Sequence, residues 1–247
     1  MKVNEIYNMD CLDGLLKIED NSVDLVVTSP PYNIDIKYDS YDDNKSWEEY
    51  LEWCEKWIKE CYRILKDDGR MCINHYISFT DTKKERFPLY DFITIQNKIG
   101  MHPSKIVVWE DTTKSKLTAW GSWLSASSPY IQTPYEGILI SYKKQWSKIN
   151  KGESTISKED FIEGTSGVWK LGTAQQLTIA NFPVALPKRC IELLTYKGDL
   201  VVDPFMGSGT TALACIETER NFIGFELSKN YCEIANRRIG KDKSALW

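Results

Sequence analysis

The chain has 247 residues, 42% of them hydrophobic and 27% charged, with a formal net charge of −4. That length can bury one sizeable core, and no apolar run approaches the roughly 18 residues of a membrane span. Met1-Lys2-Val3-Asn4-Glu5 lacks the apolar core of a secretory signal, so a cytoplasmic protein is expected.

The seven cysteines are scattered, with no Cys-x-x-Cys pair, and the histidines are only two, His75 and His102. A disulfide framework, a zinc site or any other bound metal is therefore not expected. The negative balance speaks mildly against a nucleic-acid partner. The charges are unevenly spread, however. Lys83-Lys84-Glu85-Arg86 and Lys143-Lys144…Lys148…Lys151 are basic, while acids gather at Asp39, Asp42 and Asp43. Each basic cluster suits a solvated face as well as a phosphate contact.

Ser22–Thr28 is an apolar run that reads as a buried strand, ended by Pro30-Pro31. Ser46 can cap a helix running to about Leu65, with Trp47, Tyr50, Leu51, Cys54, Trp57, Ile58, Cys61 and Leu65 at helical spacing. Asp67-Asp68-Gly69 reads as a turn into a strand over Arg70–Asn74. Further strands are expected at Lys105–Trp109 and Gly137–Ser141. A polar, weakly patterned stretch of about 143–172 follows. Beyond it come a helix over Pro187–Tyr196, a strand over Leu200–Val202, a helix over about Thr210–Thr218, a strand over Asn221–Phe225 and a last helix over about Lys229–Arg238. Strands alternating with helices imply an α/β fold with a mostly parallel sheet covered by helices on both faces.

Asp203-Pro204-Phe205-Met206-Gly207-Ser208-Gly209-Thr210-Thr211 joins an apolar strand to a helix. Glycines at such a strand end let a ligand approach the backbone, beside the free N–H groups of a helix N-terminus. No lysine follows the second glycine, which excludes a P-loop, and the third glycine of a dinucleotide fingerprint is missing. The next strand ends in Glu226, about 20 residues beyond the loop, where an acid can take two ribose hydroxyls. An adenosine-type ligand without a diphosphate fits that combination.

Together with Thr28-Ser29-Pro30-Pro31-Tyr32, this loop resembles the amino-methyltransferases of DNA, which modify cytosine N4 or adenine N6. In that family an Asp/Asn/Ser-Pro-Pro-Tyr/Phe motif carries catalysis, and an Asp-Pro-Phe-x-Gly-Ser-Gly-Thr loop binds S-adenosylmethionine. The catalytic motif here precedes the cofactor loop, as in the circularly permuted beta group found in restriction-modification systems. The resemblance implies a Rossmann-like methyltransferase fold and a single catalytic domain over residues 1–247. It also implies a small target-recognition insertion between the motifs, for which about 143–172 is the best stretch. Asn8-Met9-Asp10-Cys11-Leu12 resembles the family's N-terminal cofactor segment, with Met9 where a glycine is usual. Asn181-Phe182-Pro183-Val184-Ala185-Leu186-Pro187 resembles the segment packed over the methionine end, with Phe182 in place of the usual histidine. The implied cofactor residues are Asp10, Cys11, Asp203, Pro204, Phe205, Gly207, Ser208, Gly209, Thr210, Glu226 and Leu227. The implied catalytic residues are Ser29, Pro30, Pro31 and Tyr32.

An exocyclic amine is a poor nucleophile because its lone pair is delocalised into the ring. It must be held in line with the methyl group, with acceptors drawing its N–H groups out of plane. Ser29 Oγ and the Pro30 carbonyl can be those acceptors, and Tyr32 can stack on a base flipped from duplex DNA. Methylation at cytosine carbon 5 would need a Pro-Cys dipeptide, and none is present. The family carries Ser most often for cytosine N4 and Asp for adenine N6, so Ser29 leans towards cytosine; adenine stays open on chemistry alone. An RNA or protein-glutamine methyltransferase, and a non-catalytic DNA-binding module, are the other readings. Residues 33–46 are expected to form a mobile lid or an ordinary surface loop. Trp120-Gly121-Ser122-Trp123 with Ser125–Tyr130 suits a base pocket, a DNA contact or core packing alike. Lys143, Lys144 and Lys148 are the expected phosphate contacts. A short recognition element implies a brief target site or binding as a homodimer.

Overall fold

A computed structural model describes residues 1–35, 43–81, 84–111, 120–131, 135–172 and 182–243. Among them, in chain order, lie β1 (Glu5–Asn8), α1 (Cys11–Leu15), β2 (Val23–Thr28), α2 (Trp47–Ile64), β3 (Leu65–Tyr76), β4 (Phe79–Asp81), β5 (Lys84–Arg86), α3 (Pro88–Lys98), β6 (His102–Asp111), β7 (Trp120–Gly121), β8 (Pro129–Tyr130) and β9 (Glu136–Tyr142). They continue with α4 (Lys158–Gly164), β10 (Val168–Leu171), α5 (Ala185–Leu194), β11 (Leu200–Asp203), α6 (Thr210–Glu217), β12 (Asn221–Glu226) and α7 (Lys229–Lys243).

Eight strands share one sheet in the order β1-β12-β11-β2-β3-β9-β6-β10. Neighbours run parallel except at β9, which is antiparallel to both β3 and β6. All six residues of β2 are buried, as expected of a strand covered on both faces. One face is covered by α1, α2 and α3 through Leu15, Tyr50, Trp57, Ile58, Ile64, Leu89 and Phe92. The other is covered by α5, α6 and α7 through Leu186, Ile191, Ala212, Leu213, Cys232, Ala235 and Ile239. This is the α/β architecture expected from the alternation of apolar segments.

The long helix begins where the sequence says it should. Ser46 Oγ accepts from Glu49 N–H at 3.2 Å, and the Glu49 carboxylate accepts from Ser46 N–H at 3.1 Å. That reciprocal box satisfies two N–H groups that the first turn leaves open. Its buried residues, among them Tyr50, Cys54, Trp57, Ile58, Cys61 and Ile64, form one stripe. The expected turn at Asp67-Asp68-Gly69 is absorbed into β3. Pairing slips from Val23↔Leu65 to Leu25↔Arg70, so the chain bulges out and back within the strand. Helix α3, not anticipated above, starts at Pro88, whose fixed φ suits a first turn, and buries Leu89, Phe92 and Ile95.

Within residues 143–172, the stretch expected to hold a target-recognition insertion, Val168–Leu171 join the sheet. Lys143 N–H and Ile149 N–H bond to the Gly69 carbonyl and Asp68 Oδ2 at 3.0 and 2.6 Å, tying the segment to the start of β3. Helix α4 then packs on α5, and β10 pairs with β6 as an edge strand.

Gly14 shows how tightly α1 is seated on β12. A Cβ there would come 2.4 Å from the Phe225 ring, which is fully buried. Gly14→Ala should therefore destabilise the protein by about 1–3 kcal/mol in urea unfolding, the usual cost of overpacking against a ring that cannot yield; an unchanged midpoint would mean that α1 is free to lift.

Candidate active site

The carboxyl ends of β12, β11, β2 and β3 lie side by side, and the reversal of β9 brings its first residue, Glu136, to the same rim. Four chemically active side chains meet there. Ser29 follows β2 directly. Its Oγ–H donates to Tyr32 Oη at 2.9 Å, and Tyr32 Oη–H donates to Glu136 Oε2 at 2.7 Å. Asn74 Nδ2 donates to both Tyr32 Oη and Glu136 Oε2, at 2.8 and 2.6 Å. Asn74 Oδ1 is buried without a donor among the described residues.

The Tyr32 ring lies flat on the His75 imidazole, with centroids 4.0 Å apart and planes at 23°. Burial holds His75 neutral by lowering its pKa to about 3. Burial and the nearby Glu136 charge push the Tyr32 phenol well above its ordinary value. Tyr32, expected to offer its ring to a base, thus also carries its hydroxyl into the Ser29–Glu136 chain. The Pro31 carbonyl accepts from Tyr50 Oη at 2.8 Å, which anchors the Pro-Pro turn to α2. Pro30 is buried at the head of that turn.

Across the neighbouring strand, Gly207 and Gly209 take left-handed backbone angles, with φ of 53° and 81°. A Cβ on Gly207 would project into open space, its nearest neighbour being the Phe205 carbonyl at 4.0 Å. The loop is held from three sides. Met206 N–H donates to the Phe225 carbonyl at 2.8 Å, and Gly207 N–H to Glu226 Oε2 at 2.8 Å. Arg238 of α7 donates to the Ser208 carbonyl and to Thr210 Oγ1, at 3.1 and 3.0 Å. Glu226 Oε1 also accepts from Ser228 N–H at 2.7 Å, so its carboxylate is fixed at the strand end.

Asp203 does something other than contact a ligand. It is 1% exposed, and its oxygens accept from Thr28 Oγ1 at 2.7 Å, Phe205 N–H at 3.0 Å and Thr211 Oγ1 at 2.6 Å. The carboxylate is turned inward and ties β2 to the start of α6. Cys11 is likewise a core residue, with its thiol buried under α2, and Pro204 is buried beside Asp203. Phe205 is half-buried against Trp53 and Trp57, with ring centroids 5.4 Å from each. Asp10 caps α1 through Leu12 N–H at 2.8 Å, just beyond the end of β1, the strand paired with that of Glu226. Leu227 is exposed, and its carbonyl accepts from Asn8 Nδ2 at 2.9 Å.

The three expected phosphate contacts sit elsewhere. Lys143 is buried, donating to Asn21 Oδ1 and the Leu65 carbonyl at 2.7 and 2.8 Å. Lys148 pairs with Asp24 and Asp199 at 2.7 and 3.3 Å, and Lys144 pairs with Asp67 at 3.0 Å. All three therefore lie at the amino ends of the parallel strands, opposite the rim that holds Ser29, with Lys143 and Lys148 turned into the sheet and Lys144 left largely exposed. In the expected lid, Asn33 and Ile34 N–H groups donate to the Asp43 carboxylate at 2.8 and 3.1 Å, while Asn33 and Lys45 exchange two more bonds. Its base is thus zipped shut; residues 36–42 lie outside the described residues, as do Lys83 and Asn181. Phe182 packs on the core beside α5.

The glycine loop, the open space at Gly207 and the fixed Glu226 carboxylate fit a nucleoside ligand lacking phosphates. With an amine-directed Ser-Pro-Pro-Tyr turn one strand away, these features define an S-adenosylmethionine-dependent methyltransferase. Residues 23–237 match the family of N6/N4 methyltransferases, described as DNA methylase, and the chain belongs to that family. It is 43% identical over 179 residues to the type II methyltransferase M.MjaVI of Methanocaldococcus jannaschii, covering 68% of this chain and 91% of that one. It is 32% identical over 255 residues to M.BglII of Bacillus subtilis, covering 94% and 68%. A Thermus thermophilus protein described as a DNA modification methylase, solved with S-adenosyl-L-methionine, superposes with a TM-score of 0.76 at 26% identity, over 96% of this chain and 93% of that one. The methyl donor is S-adenosylmethionine and the substrate is DNA. Among the described residues there is no cluster of metal ligands, and no helix is long and apolar enough to cross a membrane.

Burial lifts the Asp203 carboxyl from 3.8 to about 6, against three hydrogen bonds that pull it down. The unfolded chain therefore releases this proton first as pH rises, and stability falls between about pH 4 and pH 6. In urea titrations across that range, the wild type should lose up to about 3 kcal/mol relative to Asp203→Asn; curves that stay parallel would assign the titration to another group.

Proposed function

We propose that this DNA methyltransferase acts on the exocyclic N4 amine of a cytosine flipped from duplex DNA. The observation that carries an exocyclic amine as acceptor, on either base, is the direction of the hydrogen-bond chain from Ser29 through Tyr32 to Glu136; Ser29 in the first motif position turns the reading towards cytosine. Because Ser29 gives its own hydrogen to Tyr32, its lone pairs are left to accept an amine N–H. The Pro30 carbonyl is the second acceptor, and the two together draw the nitrogen towards tetrahedral geometry.

When bound, the cofactor supplies an electrophilic methyl group on a sulfonium sulfur; Glu226 would hold its ribose, Asp10 its adenine side, and the Gly207–Thr210 loop its methionine end. The methylated nitrogen carries one proton too many. That proton passes to Ser29 Oγ as the Ser29 hydrogen moves to Tyr32 Oη and the Tyr32 hydrogen moves to Glu136 Oε2. One N–H bond breaks, one O–H bond forms at the carboxylate, and half-buried Glu136 can release the proton to water. The same chain serves an adenine N6 amine, and the family includes both. Ser in the first motif position is what favours cytosine here.

The reading is tested by incubating DNA with the protein and S-adenosylmethionine, then identifying modified nucleosides by mass spectrometry. N4-methylcytosine is expected; N6-methyladenine would move the assignment to the other amine, and an absence of both would overturn it. Glu136→Gln should lower kcat about 10–100-fold with little change in the KM for S-adenosylmethionine, within the usual range of proton-transfer catalysis. Ser29→Ala should lose about 100-fold or more. A Glu136→Gln enzyme with the wild-type kcat would remove Glu136 from the proton path.

A further inference from the structure

Strand β6 ends at Asp111 and β9 begins at Glu136, both on the catalytic rim, and the chain between them carries a small hairpin. Its strands β7 and β8 pair Trp120 with Tyr130 and Gly121 with Pro129. The loop they enclose is stitched by its own serines. Ser122 N–H donates to the Ser128 carbonyl at 2.8 Å, and Ser128 N–H to Ser122 Oγ at 2.9 Å. Ser122 Oγ–H donates to the Ser125 carbonyl at 2.8 Å, and Ser127 N–H to Ser125 Oγ at 3.2 Å. A loop this short with so many internal bonds holds one shape.

That shape displays two large apolar side chains to water. Trp123 is 73% exposed and Leu124 is 90% exposed. Leu124 also sits in the left-handed region, with φ 49°. A branched side chain adopts that conformation at a cost. Core packing, one of the readings open from the sequence, does not account for Trp123 or Leu124. The hairpin from Trp120 to Ile131 contains no charged residue, so nothing in it repels a polyanion. Ile131 is five residues from Glu136, a reach of at most about 17 Å, and Glu136 itself bonds Tyr32.

We propose that Trp123-Leu124 is a wedge that enters the DNA stack beside the target base and fills the space the base leaves when it turns into the Ser29 pocket. Extrusion breaks pairing and stacking, and proteins that distort DNA commonly offset this by inserting apolar side chains between base steps. An indole can also stack on the exposed face of a neighbouring base. The serines keep the tip rigid, so little ordering is left to be done on binding. The proposal rests on the base-flipping reading given above and is independent of which amine is methylated.

The test uses an oligonucleotide duplex carrying the site mapped from the wild-type product. A second version places an abasic residue opposite the target base, so that extrusion is already half done. Trp123→Ala/Leu124→Ala should lower kcat/KM on the ordinary duplex about 10–100-fold and return to within a few-fold of wild type on the abasic duplex, with S-adenosylmethionine binding unchanged. Leu124→Gly, which relieves the backbone, should melt no lower than wild type and still show the duplex-selective loss. Equal activity of wild type and double variant on both duplexes, or equal losses on both, would overturn the wedge. A wild type that methylates adenine would change the base assignment and leave the ratio between the two duplexes as the measure of the wedge.

Discussion

One buried carboxylate sets the distance between the two halves of this enzyme. Asp203 accepts from Thr28, the residue before catalytic Ser29, and from Thr211 in the first turn of α6. A buried charge is costly unless hydrogen bonds satisfy it, and here three donors converge on it. In-line methyl transfer works only when donor and acceptor are held at near-attack separation, where an error of one ångström can cost about a hundredfold in rate. The motif acid thus acts as the gauge between loop and turn, which explains why it faces the interior rather than the cofactor.

From that gauge outward the rim has a linear logic. Strand order places Glu226, Asp203, Ser29, Asn74 and Glu136 at the rim ends of five successive strands. At about 4.8 Å per strand the row spans roughly 19 Å. Glu226 and the glycine loop lie at one end, the Ser-Pro-Pro-Tyr turn in the middle and the Glu136 carboxylate at the other. On the proposed path, the proton lost by the amine leaves on the side away from the sulfonium. Arg238, arriving from the last helix, braces the loop at the first end, and His75 braces Tyr32 at the second.

Much of this was legible in the sequence. Apolar runs located β2, β11 and β12, and Ser46 with Glu49 located the start of α2, because each depends on local pattern and capping. The two motifs emerged at strand ends on one rim. Glu136 and Asn74 were not legible as site residues. Asn74 ends one expected strand and Glu136 precedes another, but Glu136 reaches the rim, and Asn74 its partner, only because β9 runs backwards, and strand direction is a tertiary fact with no local mark. The lysines misled for the same reason. A cluster of charges reads identically whether it faces DNA or closes the underside of a sheet, and Lys148 with Asp24 does the latter. Arg238 could have been suspected only from a cation near the end of an amphipathic helix, which is ordinary.

The reversal of β9 has an architectural consequence beyond catalysis. In a purely parallel sheet the chain leaves one edge and must cross to the far edge before the next strand begins. Here it leaves β6 and re-enters β9 on the same side, at the rim that carries Ser29. That stretch is a socket: segments of different length and sequence can be grafted between Asp111 and Glu136 without disturbing a single ladder bond of the sheet.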